Sequence, residues 1–111
     1  MSLARRRNSV YTIARMYYEI ILAPEAVRDV QHLKARVRSV VRDAIETHLR
    51  HQPTQISKSR IKRLHGISRP QFRLRVDDVR IFYDVRESTV EILAMVPKSE
   101  AGAWLKREGT T

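Results

Sequence analysis

The sequence predicts an α+β domain: a small antiparallel sheet of about four strands, one of them N-terminal, a helical hairpin packed on one face, and a short C-terminal helix. Three observations carry this. Residues 72–96 divide into three alternating segments separated by turn-forming pairs. Residues 24–51 carry apolar side chains at helical spacing. The two turns, taken as two-residue turns, place one set of apolar side chains on a single sheet face.

In chain order, residues 1–16 hold Arg5, Arg6, Arg7 and Arg15 with no acid and read as a basic flexible tail. The same composition fits an organelle transit peptide, and translation starting at Met16 is a third reading. The segment 17–107 reads as one domain and 108–111 as a C-terminal tail. Tyr17–Leu22 (YYEIIL) is β-rich and forms the first expected strand. Pro24 and Glu25 suit the first turn of a helix, through the preset φ of proline and the positive end of the helix dipole. Val27, Val30 and Leu33 follow it, and Val37, Val40, Val41, Ala44, Ile45, His48 and Leu49 repeat the helical period. Two helices are expected, about 24–34 and 37–51, although no Gly or Pro separates them and one bent helix stays open. Phe72–Val76, Val79–Arg86 and Thr89–Val96 are the next strands, with turns at Asp77-Asp78 and Glu87-Ser88. Pro97 stops the last strand, and Ser99-Glu100 starts the final helix, which carries Ala103, Trp104 and Leu105.

The chain has 111 residues, of which 42% are hydrophobic, enough for one core. Twenty-two Lys and Arg against twelve Asp and Glu leave a net charge of +10, which favours a polyanionic partner. The absence of cysteine excludes disulfide scaffolds, thiolate metal sites and cysteine nucleophiles. Three glycines form neither a P-loop nor a dinucleotide fingerprint. No apolar run approaches the roughly 18 residues of a membrane span. His48 and His51 lack a third ligand, so no metal or cofactor is expected.

With both turns tight, Val76 faces Val79, Arg75 faces Arg80, Leu74 faces Ile81 and Arg73 faces Phe82. Across the second turn, Val85 faces Val90, Tyr83 faces Ile92, Ile81 faces Ala94 and Val79 faces Val96. One face is then Phe72, Leu74, Val76, Val79, Ile81, Tyr83, Val85, Val90, Ile92, Ala94 and Val96, for the helices to cover. The other holds Arg73, Arg75, Arg80, Phe82, Asp84, Arg86, Glu91, Leu93 and Met95. Arg75 opposite Arg80 is a like-charge pair costing roughly 0.2–1 kcal/mol, which a bound anion would relieve. On this register Arg80 lies on the solvated face, so its loss should not weaken the fold. Residues 47–76 add eight Lys or Arg and no acid, making Lys58, Arg60, Lys62, Arg63 and Arg69 candidate RNA contacts. Phe82, Leu93 and Met95 are apolar among charges, to be covered by Trp104 or by a partner. Arg86 is expected to bridge Asp84 and Glu91.

The runs YYEIILAPEAVRDVQHL, RLHGISRPQFRLRVDDVRIFYDV and VEILAMVPKSEAGAWL resemble the RelE/ParE superfamily of bacterial type II toxin–antitoxin toxins over residues 17–106. The resemblance implies a compact α/β domain with an antiparallel sheet and a helical hairpin. RelE-type members are endoribonucleases that cut messenger RNA, usually in the ribosomal A site. Their basic active-site residues fall where this chain has Arg73, Arg75, Arg80 and Lys98. Many also carry a tyrosine near the start of the last helix, where this chain has Gly102 and then Trp104. ParE-type relatives instead poison DNA gyrase. The implied partners are a cognate antitoxin, expected to be acidic, in a hetero-oligomer, together with messenger RNA and the ribosome; the implied place is the cytoplasm, with no membrane.

Metal-free RNA cleavage drives the ribose 2′-hydroxyl against the adjacent phosphate. It needs a base, charge stabilisation on the phosphorane, and an acid for the leaving 5′-oxygen. Arginine serves the second role through its planar, bidentate fork and serves the first poorly, being always protonated. Lys98 and His65 are the candidates for proton transfer. A gyrase inhibitor and a catalytically decayed nucleic-acid-binding module are the alternative functions.

Overall fold

The computed structural model describes residues 17–111, so the reading of residues 1–16 lies outside the described residues. The elements are β1 (Glu19–Leu22), α1 (Pro24–His32), α2 (Ala35–His48), β2 (Ile61–Arg63), β3 (Phe72–Val76), β4 (Val79–Arg86), β5 (Thr89–Pro97), a 3-10 turn (Lys98–Glu100) and α3 (Ala101–Glu108). The sheet has five strands in the order β1-β5-β4-β3-β2. It is one strand larger than expected and is mixed, because β1 runs parallel to β5. β2 is only three residues long, too short to show a period of two.

The hairpin of helices forms as two elements. Leu33 and Lys34 are extended, at ψ 147° and 149°, and stop α1 without Gly or Pro. Arg38, one turn into α2, donates to the carbonyls of Val30 at 3.1 Å and Leu33 at 2.8 Å. It thereby satisfies acceptors that the end of α1 leaves open. Ala26, Val41, Ile45 and Leu49 bury against the sheet face that carries Leu74, Ile81, Tyr83, Val90 and Ile92. Tyr83 also donates its hydroxyl to the Pro53 carbonyl at 2.6 Å, and burial pushes its pKa up. Where β1 ends, α1 takes over the edge of β5: the Met95 backbone N–H donates to Asp29 Oδ2 at 2.8 Å. Burial holds that carboxyl above its ordinary pKa in spite of the hydrogen bond.

The β3–β4 register is the expected one throughout, including Arg75 against Arg80. The β4–β5 register holds from Arg86 to Tyr83, which faces Ile92, and then shifts between Phe82 and Tyr83. Phe82 faces Ala94, Ile81 faces Met95, and Arg80 faces Val96. Leu93 is thus the extra residue of a bulge, which switches the faces of everything after it. Met95 enters the main core. Ala94 and Val96 cross to the other face and form a second core with Phe82 and Trp104. The physical reason lies in α3. Trp104 stacks parallel on Phe82, at 4.9 Å between centroids and 2° between planes, and the small Ala94 opposite Phe82 leaves room for both rings. Trp104 Nε1 donates to Glu25 Oε2 at 2.8 Å, tying α3 to α1.

The residues expected as a tail from 108 are held in place. The Thr110 carbonyl accepts from Ser68 N at 2.7 Å, and Thr110 N donates to the Arg69 carbonyl at 2.9 Å. Among the described residues, no helix is long and apolar enough to cross a membrane.

Candidate functional site

The sheet face turned away from the hairpin is divided. Its centre is roofed by the short α3 through Phe82, Ala94, Val96 and Trp104, with Leu64, Leu93, Ala101 and Leu105 around them. Toward the β3–β4 turn the roof ends and the cations begin. Arg73, Arg75 and Arg80 lie on this face of β3 and β4. Lys62 joins them, because β2 pairs Lys62 with Arg73 and cross-strand partners share a face.

The four cations differ in their surroundings. Arg75 and Lys62 are exposed. Arg80 is buried, with 7% of its surface accessible, and donates from Nη1 to the carbonyls of Asp77 at 2.7 Å and Val79 at 3.2 Å. This corrects the expectation that Arg80 is structurally dispensable. Asp77 sits at φ 50° in the left-handed region, which Asp tolerates better than most residues, and Arg80 holds that residue's carbonyl. Arg73 is partly buried, and its Nε has no hydrogen-bond partner. Burial first, then the guanidinium groups of Arg80 and Arg75, hold its pKa below the ordinary arginine value. None of the ion pairs among the described residues involves Lys62, Arg73, Arg75 or Arg80. Three guanidinium groups on one sheet face repel one another, and an anion seated among them would relieve that repulsion. Lys98 is brought to the same end: its backbone N–H donates to the Asp78 carbonyl at 2.7 Å, on the turn that Arg80 also grips.

Other predicted contacts are placed elsewhere. Arg69 pairs with Asp84 Oδ2 and Glu91 Oε1, each at 3.1 Å. It takes the bridging role expected of Arg86 and is engaged by acids at the far end of the face. Arg63 turns to the hairpin side, with its guanidinium 5.1 Å from the Phe72 ring centroid. Arg60 lines a hollow with Thr47, His48, Gln52, Gln55 and Ser57. Burial, and then Arg60, push the His48 pKa down. Lys58 is exposed in the loop before β2. His65 follows β2 at the end of the sheet opposite the 77–78 turn.

Phe82, Leu93 and Met95 are expected on the outer face, covered by Trp104 or by a partner; Phe82 and Met95 are buried at 0% and 4% exposure, and Leu93 is partly buried. α3 covers Phe82, and the bulge turns Met95 inward. Tyr83, in the run RLHGISRPQFRLRVDDVRIFYDV, faces the main core, as the register predicts, rather than the cations. The signal that sequence reasoning missed is Asp84: a buried acid two positions from Phe82 needs a cation, and Arg69 supplies it. Among the described residues, no three His, Asp or Glu side chains form a group that could hold a metal ion.

A family model described as the ParE toxin of type II toxin–antitoxin systems, parDE, matches residues 20–102. The fold resembles RelE in the RelB–RelE antitoxin–toxin complex of Methanococcus jannaschii. That match has a TM-score of 0.60 and 20% identity, over 76% of this chain and 96% of the other. The corresponding complex from Pyrococcus horikoshii OT3 matches with a TM-score of 0.57 and 24% identity, over 75% and 97%. A copper-bound mutant toxin from Helicobacter pylori matches at 0.51 and 16% identity, over 77% and 98%. No curated protein sequence matches.

Proposed function

The chain belongs to the ParE family of toxins of type II toxin–antitoxin systems, and from that premise we propose that it acts as a metal-independent endoribonuclease on messenger RNA, held in check by an acidic antitoxin. The observation that carries the reading is the cross-strand pair Arg75–Arg80 with Arg73 beside it on one sheet face, Arg75 exposed and Arg73 partly so, none of the three engaged in an ion pair among the described residues. A phosphate seated against Arg75 and Arg80 would relieve their repulsion in the ground state. The phosphorane formed by 2′-hydroxyl attack carries more charge and would relieve it further, so the same side chains stabilise the transition state preferentially. Arg73, already partly desolvated, interacts with that charge more strongly than an arginine in water. Lys98 stands at the turn gripped by Arg80 and is the candidate for proton transfer to the leaving 5′-oxygen. A site with one such group depends on precise placement of the RNA, which fits a substrate shaped by the ribosome. The +10 charge and the RelB partners in the two archaeal complexes support the antitoxin part of this reading.

A second reading, inhibition of DNA gyrase, is favoured by the ParE description of the matching family and by Gly102 in place of the tyrosine many RelE-type members carry. Induction in a bacterial host separates the two. Codon-phased messenger RNA ends support cleavage. Supercoiling defects with intact messenger RNA support the gyrase reading and sink the first.

A further inference from the structure

We infer that the basic half of the sheet binds two successive phosphates of a single RNA strand, the second held by Lys62 together with Arg73. This rests on the nucleic-acid reading above and gives the site a length and a direction. Arg75 and Arg80 face each other across β3 and β4. Arg73 lies two residues back along β3 on the same face, directly opposite Lys62 on β2. Two residues of strand span about 6.8 Å, and the step of one strand adds about 4.8 Å sideways, so the centres of the two pairs lie about 8 Å apart, a separation that long Arg and Lys side chains can close onto adjacent phosphates. The four cations therefore make two positions rather than one cluster. One is the Arg75–Arg80 pair beside the 77–78 turn, and the other is the Lys62–Arg73 pair, one strand further toward the sheet edge.

The surroundings fix where the track runs. Trp104 over Phe82 closes the middle of the face. Beyond it, Asp84 and Glu91 present carboxylates already engaged by Arg69 and would repel a phosphate. The open course leads from the turn across β3 to Lys62 at the edge strand. Arg73, directly opposite Lys62, is only partly buried, so the second position remains open to a strand lying along this course. The charges are also unneutralised, since no ion pair among the described residues engages any of the four.

The test uses the full chain and 2′-O-methyl uridine oligonucleotides, which cannot be cleaved. A mononucleotide with one phosphate, a dinucleotide with two, and inorganic phosphate are titrated by fluorescence competition at several salt concentrations. The dinucleotide is expected to bind more tightly than the mononucleotide and with a steeper salt dependence. Lys62→Ala should reduce the dinucleotide's log–log salt slope by about 0.7, the increment for one phosphate contact on a single strand. It should leave mononucleotide binding and the melting temperature unchanged, while Arg75→Ala should weaken both ligands. If the dinucleotide binds yet ignores Lys62→Ala, or binds no better than the mononucleotide or inorganic phosphate, the two-phosphate arrangement is wrong and the ribonuclease reading stands. If no oligonucleotide binds, the nucleic-acid reading fails and takes the inference with it.

Discussion

Arg75 and Arg80 form a matched pair of perturbations whose outcomes should diverge. Both lie on the basic face and oppose each other in register, so electrostatics alone would have either removal weaken phosphate binding and relieve one repulsion. Their surroundings differ. Arg80→Ala deletes a charged donor at 2.7 Å from the Asp77 carbonyl and a second contact at 3.2 Å to Val79. A hydrogen bond from a charged group contributes about 1.5–3 kcal/mol, and relief of the Arg75 repulsion returns only about 0.2–1 kcal/mol. The net is a loss of about 0.5–2.8 kcal/mol. For a domain of this size each kcal/mol lowers the melting temperature by roughly 4–8 °C. Arg75 is exposed and its side chain has no such partner, so Arg75→Ala should leave the melting temperature unchanged or raise it by a degree or two. RNA cleavage should nevertheless fall by roughly 10²–10³ for Arg75→Ala, the usual cost of one preorganised electrostatic contact. The assay pairs thermal unfolding with cleavage of messenger RNA by purified protein on translating ribosomes. Equal melting temperatures for the two variants would refute the structural role given to Arg80. A fully active Arg75→Ala would remove the Arg75–Arg80 pair from the mechanism.

Phe82→Ala should cost about 3–5 kcal/mol of stability, as deletion of a buried ring does, read as a loss of chemical-denaturation midpoint; an unchanged midpoint would mean that α3 does not seal this face. His48 is held below its ordinary pKa, so the unfolded chain takes up its proton first as the pH falls. Its contribution to stability is present above the unfolded value of about 6.5 and declines below it, and His48→Gln should flatten the melting-temperature profile between pH 7 and 5, whereas parallel profiles would rule the effect out. A Cβ at Gly102 meets nothing within 4 Å, so Gly102→Ala should stabilise α3 by up to about 1 kcal/mol through helix propensity, and Gly102→Tyr, which adds a phenol of the kind the RelE resemblance implies near the start of this helix, should raise cleavage without loss of stability if the ribonuclease reading holds.

The sequence made the β3–β4 half of the site legible because a two-residue turn leaves strand pairing no freedom, and the alternation FRLRV against VRIF then assigns each arginine to a face. The same logic failed at Leu93. The run VEILAMV is apolar at Ile92, Leu93, Ala94, Met95 and Val96, so alternation there supports either face, and the bulge is chosen by the need to seat Trp104, a residue eleven positions further on. β2 escaped for a different reason. Ile61 alone among its three residues is apolar and buried, and the strand exists because β3 offers it an edge. The parallel pairing of β1 with β5 joins Glu19 to Thr89, a separation over which turn chemistry carries no information.

The bulge also determines how much of the basic face remains open. Without it, Leu93 would face Phe82 and Met95 would face Arg80 on the outer face, and Ala94 would sit in the core. A leucine opposite Phe82 in place of Ala94 would lift the α3 tryptophan off the ring. With it, Ala94 and Val96 make a floor low enough for one parallel aromatic stack, and an eight-residue helix suffices to close the centre of the sheet. The roof then stops short of Lys62 and Arg75, which are exposed, and leaves Arg73 partly so. A residue inserted in β5, which touches none of the cations except through the backbone opposite Arg80, is therefore what leaves that half of the face open. The arginines supply the charge, and the bulge supplies the access.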